Sequence, residues 1–222
     1  MSTKLIVFDW DGTLMDSEAK IVNCMHSAID DLGLEPRSNE AVRHIIGLGL
    51  REALVELYPQ GCETEYQSLV ERYRHHFIDA NQTPSPLFEG TRTLIESLSQ
   101  TDHFLAVATG KGRRGLDRVL EETGLAEYFH YSRCADETHS KPNPQMLIDI
   151  MDYLGVEKQQ TLMIGDTTYD LQMASNAGVD SLAVSYGVHA QQLLQECKPL
   201  AVVHNIQQVA QWLNEEFLSK AA

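Results

Sequence analysis

Short apolar runs alternate with helical patterns along most of the chain, and this alternation is the feature that most limits the possible folds. The runs are continuously apolar, which is typical of strands buried on both faces of a parallel sheet. Strands joined by helices indicate right-handed β-α-β units with helices on both faces. The predicted strands are Lys4–Phe8, His103–Thr109, Thr161–Gly165, Asp180–Ser185 and Ala201–His204. The predicted helices that separate or follow them are Gly90–Gln100, Gly112–Glu122, Pro144–Leu154, Tyr169–Ala177, Ala190–Cys197 and Ile206–Leu218.

The segment from residue 16 to residue 85 breaks this alternation, because it contains only helical patterns. Ser17 is placed to cap a first helix through Asp31, and further helices are predicted at Asn39–Ile46, Leu50–Leu57 and Glu63–Ala80. The sequence therefore predicts an α/β protein in which residues 1–15 and 86–222 form a Rossmann-like parallel-sheet core and residues 16–85 form an inserted all-helical domain. The alternative is that these helices simply cover the sheet.

Composition narrows the range of partners. The formal net charge is -15 and the sequence pI is about 4.9, so the surface repels nucleic acid and anionic membranes. The four cysteines are far apart and show no metal-binding spacing, which favours reduced thiols in a cytoplasmic protein. We find no signal-peptide pattern at the N-terminus and no apolar stretch long enough to span a bilayer. We expect a monomer or a weak homodimer.

Polar residues follow three of the predicted strands at their carboxyl ends. Asp9 and Asp11 follow the first strand, Thr109-Gly110-Lys111 closes the second, and Asp166 follows Thr161–Gly165 in a position that also resembles a helix N-cap. Lys141 lies in the loop Ser140-Lys141-Pro142. Because ligands of parallel α/β sheets bind beyond the carboxyl ends of the strands, we expect these side chains to converge.

The residue types in this set indicate a particular chemistry. Clustered carboxylates without histidine or cysteine suit a hard cation such as Mg²⁺, which would also offset the repulsion between Asp9 and Asp11. A lysine and a hydroxyl beside a glycine amide suit a phosphate group. The sequence therefore predicts a magnesium site that binds a phosphate group.

Four segments, DWDGTLMDS, VATGK, SKPNP and IGDTTYD, occur in this order and resemble the four motifs of the haloacid dehalogenase superfamily. The helical insert resembles the C1 cap of that superfamily, and the most similar subgroup is the phosphoglycolate phosphatase and beta-phosphoglucomutase branch. The resemblance implies a Mg²⁺-dependent phosphomonoester hydrolase whose substrate is a small phosphorylated metabolite, either a phosphoglycolate-like acid or a sugar phosphate. A sugar phosphomutase and a non-catalytic phosphate-binding regulatory module are the alternatives.

The resemblance also assigns roles to the two aspartates of the first motif and to the lysine. It implies that Asp9 is the nucleophile that forms an aspartyl phosphate. Asp11 would be the general acid for the leaving oxygen and then the general base for water. Lys141 would neutralise charge on Asp9 and on the phosphoryl group.

The remaining motif residues would hold the phosphate and the metal. The resemblance implies that Thr109 and the Gly110 amide bind the phosphoryl oxygens. Asp166 would bind Mg²⁺ together with Asp9 and the backbone carbonyl of Asp11. Asp170 would act from outside the direct ligand set, on a metal-bound water or on Lys141.

The cap is expected to decide the substrate. In the stretch Ile46–Arg51, Gly47 and Gly49 precede a predicted helix and could present backbone amides to an anion, with Arg51 adding charge. A plain helix–helix turn with a surface arginine is the alternative reading of the same stretch.

Overall fold

The structure is a computed structural model that describes residues 3–219. Its centre is a parallel sheet with strand order β3-β2-β1-β4-β5-β6. The strands are β1 (Leu5–Phe8), β2 (Phe104–Thr109), β3 (Tyr131–Cys134), β4 (Thr161–Gly165), β5 (Asp180–Val184) and β6 (Ala201–Val203). The predicted parallel α/β fold is confirmed, and five of its strands follow the continuous apolar runs.

Strand β3 is absent from the sequence prediction. Its residues, Tyr-Ser-Arg-Cys, are mostly polar or half-buried, and the strand lies at the edge of the sheet, where it pairs only with β2 among the described strands. An edge strand has one neighbour and partial exposure, so it does not need the continuous apolar run that marks a central strand.

The insert after β1 consists of helices, as the sequence predicts. They are α1 (Glu18–Asp31), α2 (Asn39–His44), α3 (Leu50–Leu57) and α4 (Glu63–His75), and a π-helical turn, His76–Ala80, continues α4. Their apolar faces enclose a hydrophobic cluster of their own, in which Met25, Ile29, Val42 and Leu54 are almost fully buried. The strands contribute no residue to this cluster.

Two chain segments connect the sheet to these helices, and they run side by side. The Asp16 backbone N–H donates to the Pro86 carbonyl at 2.8 Å, and the Phe88 N–H donates to the Leu14 carbonyl at 3.0 Å. Met15 and Leu87 form an antiparallel bridge between the segments. Both connections therefore leave the core at one place.

Helices cover both faces of the sheet. They are α5 (Thr91–Ser99), α6 (Arg113–Thr123), α7 (Gln145–Leu154), α8 (Thr168–Ala177), α9 (Gln191–Glu196) and α10 (Ile206–Trp212), and α10 continues as a π-helical turn over Leu213–Leu218. One face packs against α5, α6 and α10, and the other packs against α7 and α8. No helix in residues 3–219 combines the length and the apolar character needed to cross a membrane.

Candidate active site

Strand register brings the candidate residues to one edge of the sheet. Strand β1 lies between β2 and β4, and Phe8 pairs with Val107 of β2 and with Ile164 of β4. Asp9 follows Phe8, and its N–H donates to the Ile164 carbonyl at 2.9 Å. Asp9 therefore lies at the level where both neighbouring strands end, which is the position that the strand-end argument predicts.

Lys141 is a fully buried cation that joins two buried carboxylates. Its Nζ lies 2.7 Å from Asp9 Oδ1 and 2.6 Å from Asp170 Oδ1. The second oxygen of Asp170, Oδ2, accepts hydrogen bonds from the Thr167 N–H at 3.0 Å and from the Thr167 hydroxyl at 2.7 Å. Asp170 is thus held by the first turn of α8 and holds Lys141 in turn. Thr167, not Asp166, is the N-cap residue of α8, so the N-cap interpretation of Asp166 is wrong.

Asp166 is fixed by contacts with two loops. Its Oδ1 accepts from the Thr13 hydroxyl at 2.8 Å, and its Oδ2 accepts from the Val188 N–H at 2.8 Å. Gly12 has a φ of +82°, and a Cβ atom there would lie 2.1 Å from Asp166 Oδ2. Only glycine therefore fits at position 12, where the backbone of the first motif passes close to the Asp166 carboxylate.

Three buried carboxylates lie close enough to share a cation. One oxygen each from Asp9, Asp166 and Asp170 lies within 4.8 Å of the others. Lys141 Nζ is at ion-pair distance from Asp9, and both Asp9 oxygens are buried with no other hydrogen-bond partner among the described residues. Oxygen ligands with unused lone pairs suit a hard divalent cation, so the residues present fit Mg²⁺.

The electrostatics of the site support this fit. Burial raises the pKa of Asp9 well above its usual value, with Asp170 and Asp166 adding to the rise and Lys141 opposing it. Burial likewise raises the pKa of Asp166 to about 7, and Asp170 adds to the effect. Burial lowers the pKa of Lys141, but Asp170 and Asp9 outweigh it and hold the pKa above the ordinary value. The site therefore contains more negative charge than one lysine neutralises.

Asp11 lies beside this cluster and has partners of its own. Its Oδ1 accepts from the Ser17 hydroxyl at 2.5 Å and lies 2.9 Å from Lys111 Nζ. Ser17 occupies the N-cap position of α1, but its side chain makes no capping hydrogen bond. The predicted capping role of Ser17 is therefore wrong, because its hydroxyl holds Asp11.

Sequence reasoning assigned no role to Lys111, although this residue belongs to the second motif. Its ammonium group lies 4.5 Å from the centroid of the Phe77 ring, which belongs to the helical insert, and it pairs with Asp11 of the core. The proximity of Lys111 to Thr109 and Gly110 was the available signal. Thr109 is buried at the end of β2, where its hydroxyl accepts from the Lys111 N–H at 3.2 Å.

Gly110 lies where the core meets the helical insert. A Cβ atom on Gly110 would lie 2.4 Å from the Leu48 carbonyl oxygen and 2.6 Å from the Gly47 carbonyl oxygen. The loop between α2 and α3 therefore rests directly on the backbone that follows β2. Gly47 itself has a φ of +102° and approaches Thr167 and Tyr169.

Two of the three cap residues proposed for anion binding lie elsewhere. The Gly49 N–H donates to the Ser140 hydroxyl at 2.7 Å, so this amide is already used. Arg51 is exposed and forms an ion pair with Glu63 at 2.7 Å. Neither residue lines the cavity that Asp9 and Asp11 face, which is described below. The face of α3 that carries Arg51 points outward, because Ala53, Leu54 and Leu57 take the buried face.

A cavity of about 500 Å³ lies between the helical insert and the strand ends. Asp9, Asp11, Gly110 and Lys111 contribute to its core side, and its cap side is formed by residues of α1, the segment between α2 and α3, α3, the end of α4 and the π-helical turn. We call this cavity the chamber. It gives a ligand access to Asp9 and Asp11 together.

The fold and the site define an α/β protein with a buried carboxylate cluster at the carboxyl ends of neighbouring parallel strands. The model of the family described as haloacid dehalogenase-like hydrolase matches residues 6–184, and the chain belongs to this family. The family resemblance and the expectation of an enzyme of the hydrolase class are confirmed.

Individual relatives agree with this assignment. The chain is 34% identical over 209 residues to the probable phosphatase IndB of Dickeya dadantii, covering 92% of this chain and 91% of the relative. It is 29% identical over 223 residues to a phosphoglycolate phosphatase of Agrobacterium fabrum, covering 98% and 95%. The crystal structure of a hydrolase from Pseudomonas syringae has the same fold, with a TM-score of 0.88 at 22% identity and coverage of 97% and 99%.

Proposed function

We propose that this protein is a Mg²⁺-dependent phosphomonoester hydrolase that acts on a small phosphorylated metabolite through an aspartyl-phosphate intermediate. The observation that carries the proposal is the state of Asp9. Its carboxylate is buried at the chamber, lies 2.7 Å from the Lys141 ammonium, and accepts no hydrogen bond from any other described residue. A carboxylate with so few partners keeps lone pairs for attack on phosphorus.

In the first step, an Asp9 oxygen forms a bond to phosphorus while the bond from phosphorus to the ester oxygen breaks. The leaving oxygen takes a proton from Asp11, so the alcohol departs neutral. Lys141 reduces the repulsion between the Asp9 carboxylate and the phosphate dianion. The Gly110 amide and the Thr109 hydroxyl are the donors proposed for the phosphoryl oxygens.

In the second step, water replaces the alcohol. Asp11, now ionised, takes a proton from the water as its oxygen bonds to phosphorus, and the bond from phosphorus to Asp9 breaks. Inorganic phosphate leaves and both aspartates return to their starting state. Ser17 and Lys111 hold the same Asp11 oxygen and thus orient this carboxyl group in both steps.

The Mg²⁺ ion would be held by Asp9 and Asp166 together with the Asp11 carbonyl, and it would supply charge neutralisation for the transferring phosphoryl group. Asp170 would stay outside the direct ligand set and would hold Lys141, with which it forms a 2.6 Å ion pair while Thr167 donates to its other oxygen. The names of the relatives support a phosphate ester as substrate. The sequence resemblance favours a phosphoglycolate-like acid or a sugar phosphate.

The test is release of phosphate from a generic aryl phosphate in the presence of Mg²⁺. We expect turnover by the wild type, loss of turnover with a chelator, and no turnover by Asp9→Asn. The matched control is Asp16→Asn, since Asp16 is an exposed aspartate seven positions away in the sequence. This control should keep wild-type activity.

Three outcomes would contradict the proposal. Substantial residual turnover by a folded Asp9→Asn variant would exclude the covalent step through Asp9. A wild type that binds phosphate but hydrolyses no ester would instead indicate a non-catalytic binding module. Rapid interconversion of sugar phosphate isomers without net phosphate release would indicate the mutase alternative.

A further inference from the structure

The cap side of the chamber is lined chiefly by apolar side chains. Its inner wall includes Ile21, Met25, Ile45, Ile46, Leu48 and Phe77. Ile21 and Met25 belong to α1, the middle three belong to the segment that ends α2 and leads to α3, and Phe77 belongs to the π-helical turn. The apolar surface thus comes from three separate parts of the insert that meet opposite Asp9 and Asp11.

The cations of the chamber are poorly placed to receive a second anionic group near the phosphate. Lys111 is already paired with Asp11 at 2.9 Å. Arg74 and Arg114 also line the chamber, but both are exposed. A carboxylate one carbon away from the ester oxygen would therefore compete with Asp11 for Lys111, and where it met the apolar wall it would be an unpaired charge, whose burial is strongly unfavourable.

The apolar wall begins directly beside the reacting atoms. The Gly47 and Leu48 carbonyls touch the backbone at Gly110, which is also proposed to bind the phosphoryl oxygens. The alcohol part of an ester bound at Asp9 would occupy the chamber, and this wall forms the cap side of the chamber. A cavity of about 500 Å³ also exceeds what a two-carbon acid would fill, and falls within the range of about 300–1,000 Å³ typical of sites for larger organic ligands.

We propose that the alcohol part of the substrate is an apolar group, a ring or a branched carbon skeleton, and not a small carboxylic acid. This inference rests on the proposed phosphatase function, and it departs from the phosphoglycolate-like acids and sugar phosphates that the sequence resemblance favours. The apolar group packs against the wall formed by the insert, and the phosphate lies at Asp9. Burial of the group excludes water from the ester bond until the alcohol leaves.

Substrate comparison tests this directly. Benzyl phosphate, ethyl phosphate and 2-phosphoglycolate are all esters of alkyl alcohols, so their comparison reports recognition more than leaving-group reactivity. We expect kcat/KM for benzyl phosphate to exceed that for each of the other two by at least about thirtyfold, because each methylene in an apolar pocket contributes about tenfold or more. Equal or better hydrolysis of 2-phosphoglycolate would overturn the proposal.

A pair of variants locates the effect in the chamber. Leu48→Ser removes part of the wall and should lower the benzyl-to-ethyl ratio of kcat/KM about tenfold. Leu34→Ser is the matched control, since Leu34 is a half-buried leucine that packs on the same cap core and does not line the chamber. This control should keep the wild-type ratio.

Circular dichroism and thermal midpoints establish that each variant folds. If Leu48→Ser does not fold, Ile78→Ser replaces it, because Ile78 is a half-buried residue of the chamber wall. An unchanged ratio in a folded wall variant would contradict the proposal. Failure of the phosphatase function itself would look different, since no ester of the panel would then release phosphate, whether apolar or acidic.

Discussion

Replacement of Lys141 by methionine separates the structural role of this residue from its proposed catalytic role. The side chain keeps a similar length and loses its charge, while Asp9 and Asp170 stay buried at the former ion-pair positions. Removing one partner of a buried ion pair costs about 3–5 kcal/mol, because the other charge is left uncompensated. Folded proteins of ordinary size have about 5–15 kcal/mol of stability, so Lys141→Met should fold but be clearly weakened.

A second substitution tests whether the loss comes from uncompensated charge. Asp170→Asn removes one of the two carboxylates that Lys141 holds at 2.6 and 2.7 Å. The double variant Lys141→Met/Asp170→Asn should therefore lose less stability than the sum of the two single variants. The coupling free energy should fall in the range of about 0.5–3 kcal/mol that is typical of groups in contact.

Urea unfolding followed by circular dichroism, with EDTA present, gives the free energies, and phosphate release with Mg²⁺ gives the activity. We expect both variants that lack Lys141 to lose at least about 100-fold in kcat, since a preorganised positive charge at the reacting group is gone. Lys111→Met is the comparison variant. It should lose no more than about 2 kcal/mol, because Ser17 still donates to Asp11.

The reasoning would be refuted by a Lys141→Met protein as stable as the wild type. Strict additivity of the two substitutions would also refute it, because the loss would then have another source. A double variant that recovers stability and also recovers activity would show that Lys141 serves only to balance Asp170.

Three further predictions concern the metal-free site, the contact between insert and core, and the cap surface. With EDTA present, the free energy of unfolding should fall by about 1 kcal/mol from pH 6 to pH 8. Asp166 has a folded pKa of about 7 against an ordinary 3.8. The folded state therefore binds a proton below pH 7 that the unfolded state does not bind, and it loses this proton above pH 7. Saturating Mg²⁺ should raise the thermal midpoint more at pH 8 than at pH 6, and an equal effect at both values would contradict the role of this carboxyl. Gly110→Ala should keep its fold but lose about 10–100-fold in kcat/KM. The new methyl group would meet the Leu48 carbonyl and push the insert away from the site. Unchanged kinetics would argue against the observed contact. Arg51→Ala should change kcat/KM for any phosphate ester by less than about twofold, because Arg51 is exposed, pairs with Glu63 and lies outside the chamber. A large increase in KM would restore the sequence-based hypothesis that Arg51 binds an anion.

The sheet could be predicted from sequence wherever a strand has neighbours on both sides and helices on both faces. Strands β1, β2 and β4 are such strands, and each is a continuous apolar run. Strand β3 could not be found in this way, because its half-exposed Tyr-Ser-Arg-Cys sequence has neither a continuous apolar run nor a clean alternation. Its place in the sheet is fixed by pairing with β2, which is a tertiary contact.

The candidate site likewise contains residues that could be predicted from the sequence and contacts that depend on tertiary packing. Asp9, Asp166 and Lys141 could be expected to meet, because parallel strands end together, and the structure brings them together with Asp170. Their catalytic roles stay predictions. The partners of Asp11 could not be read from sequence, since Ser17 begins a cap helix and looks like an ordinary N-cap. The outward direction of Arg51 depends on which face of α3 packs, and that choice is made by the whole cap core.

The charge balance at the strand ends links the stability of this fold to its proposed chemistry. When ionised, Asp9, Asp166 and Asp170 exceed the single positive charge of Lys141 by two, and all four side chains are buried. Such an excess destabilises the folded protein, and burial, with the neighbouring carboxylates adding to it, raises the pKa of Asp9 and Asp166. This excess of two negative charges equals in size the charge of one divalent cation. Binding of Mg²⁺ would therefore relieve the repulsion and bring the local charge close to zero. Only then could a phosphate dianion approach the Asp9 carboxylate without facing a net negative site. The same imbalance that weakens the metal-free fold would therefore favour a divalent cation at this site, and in the proposed mechanism it would leave Asp9 usable as a nucleophile once the cation is present.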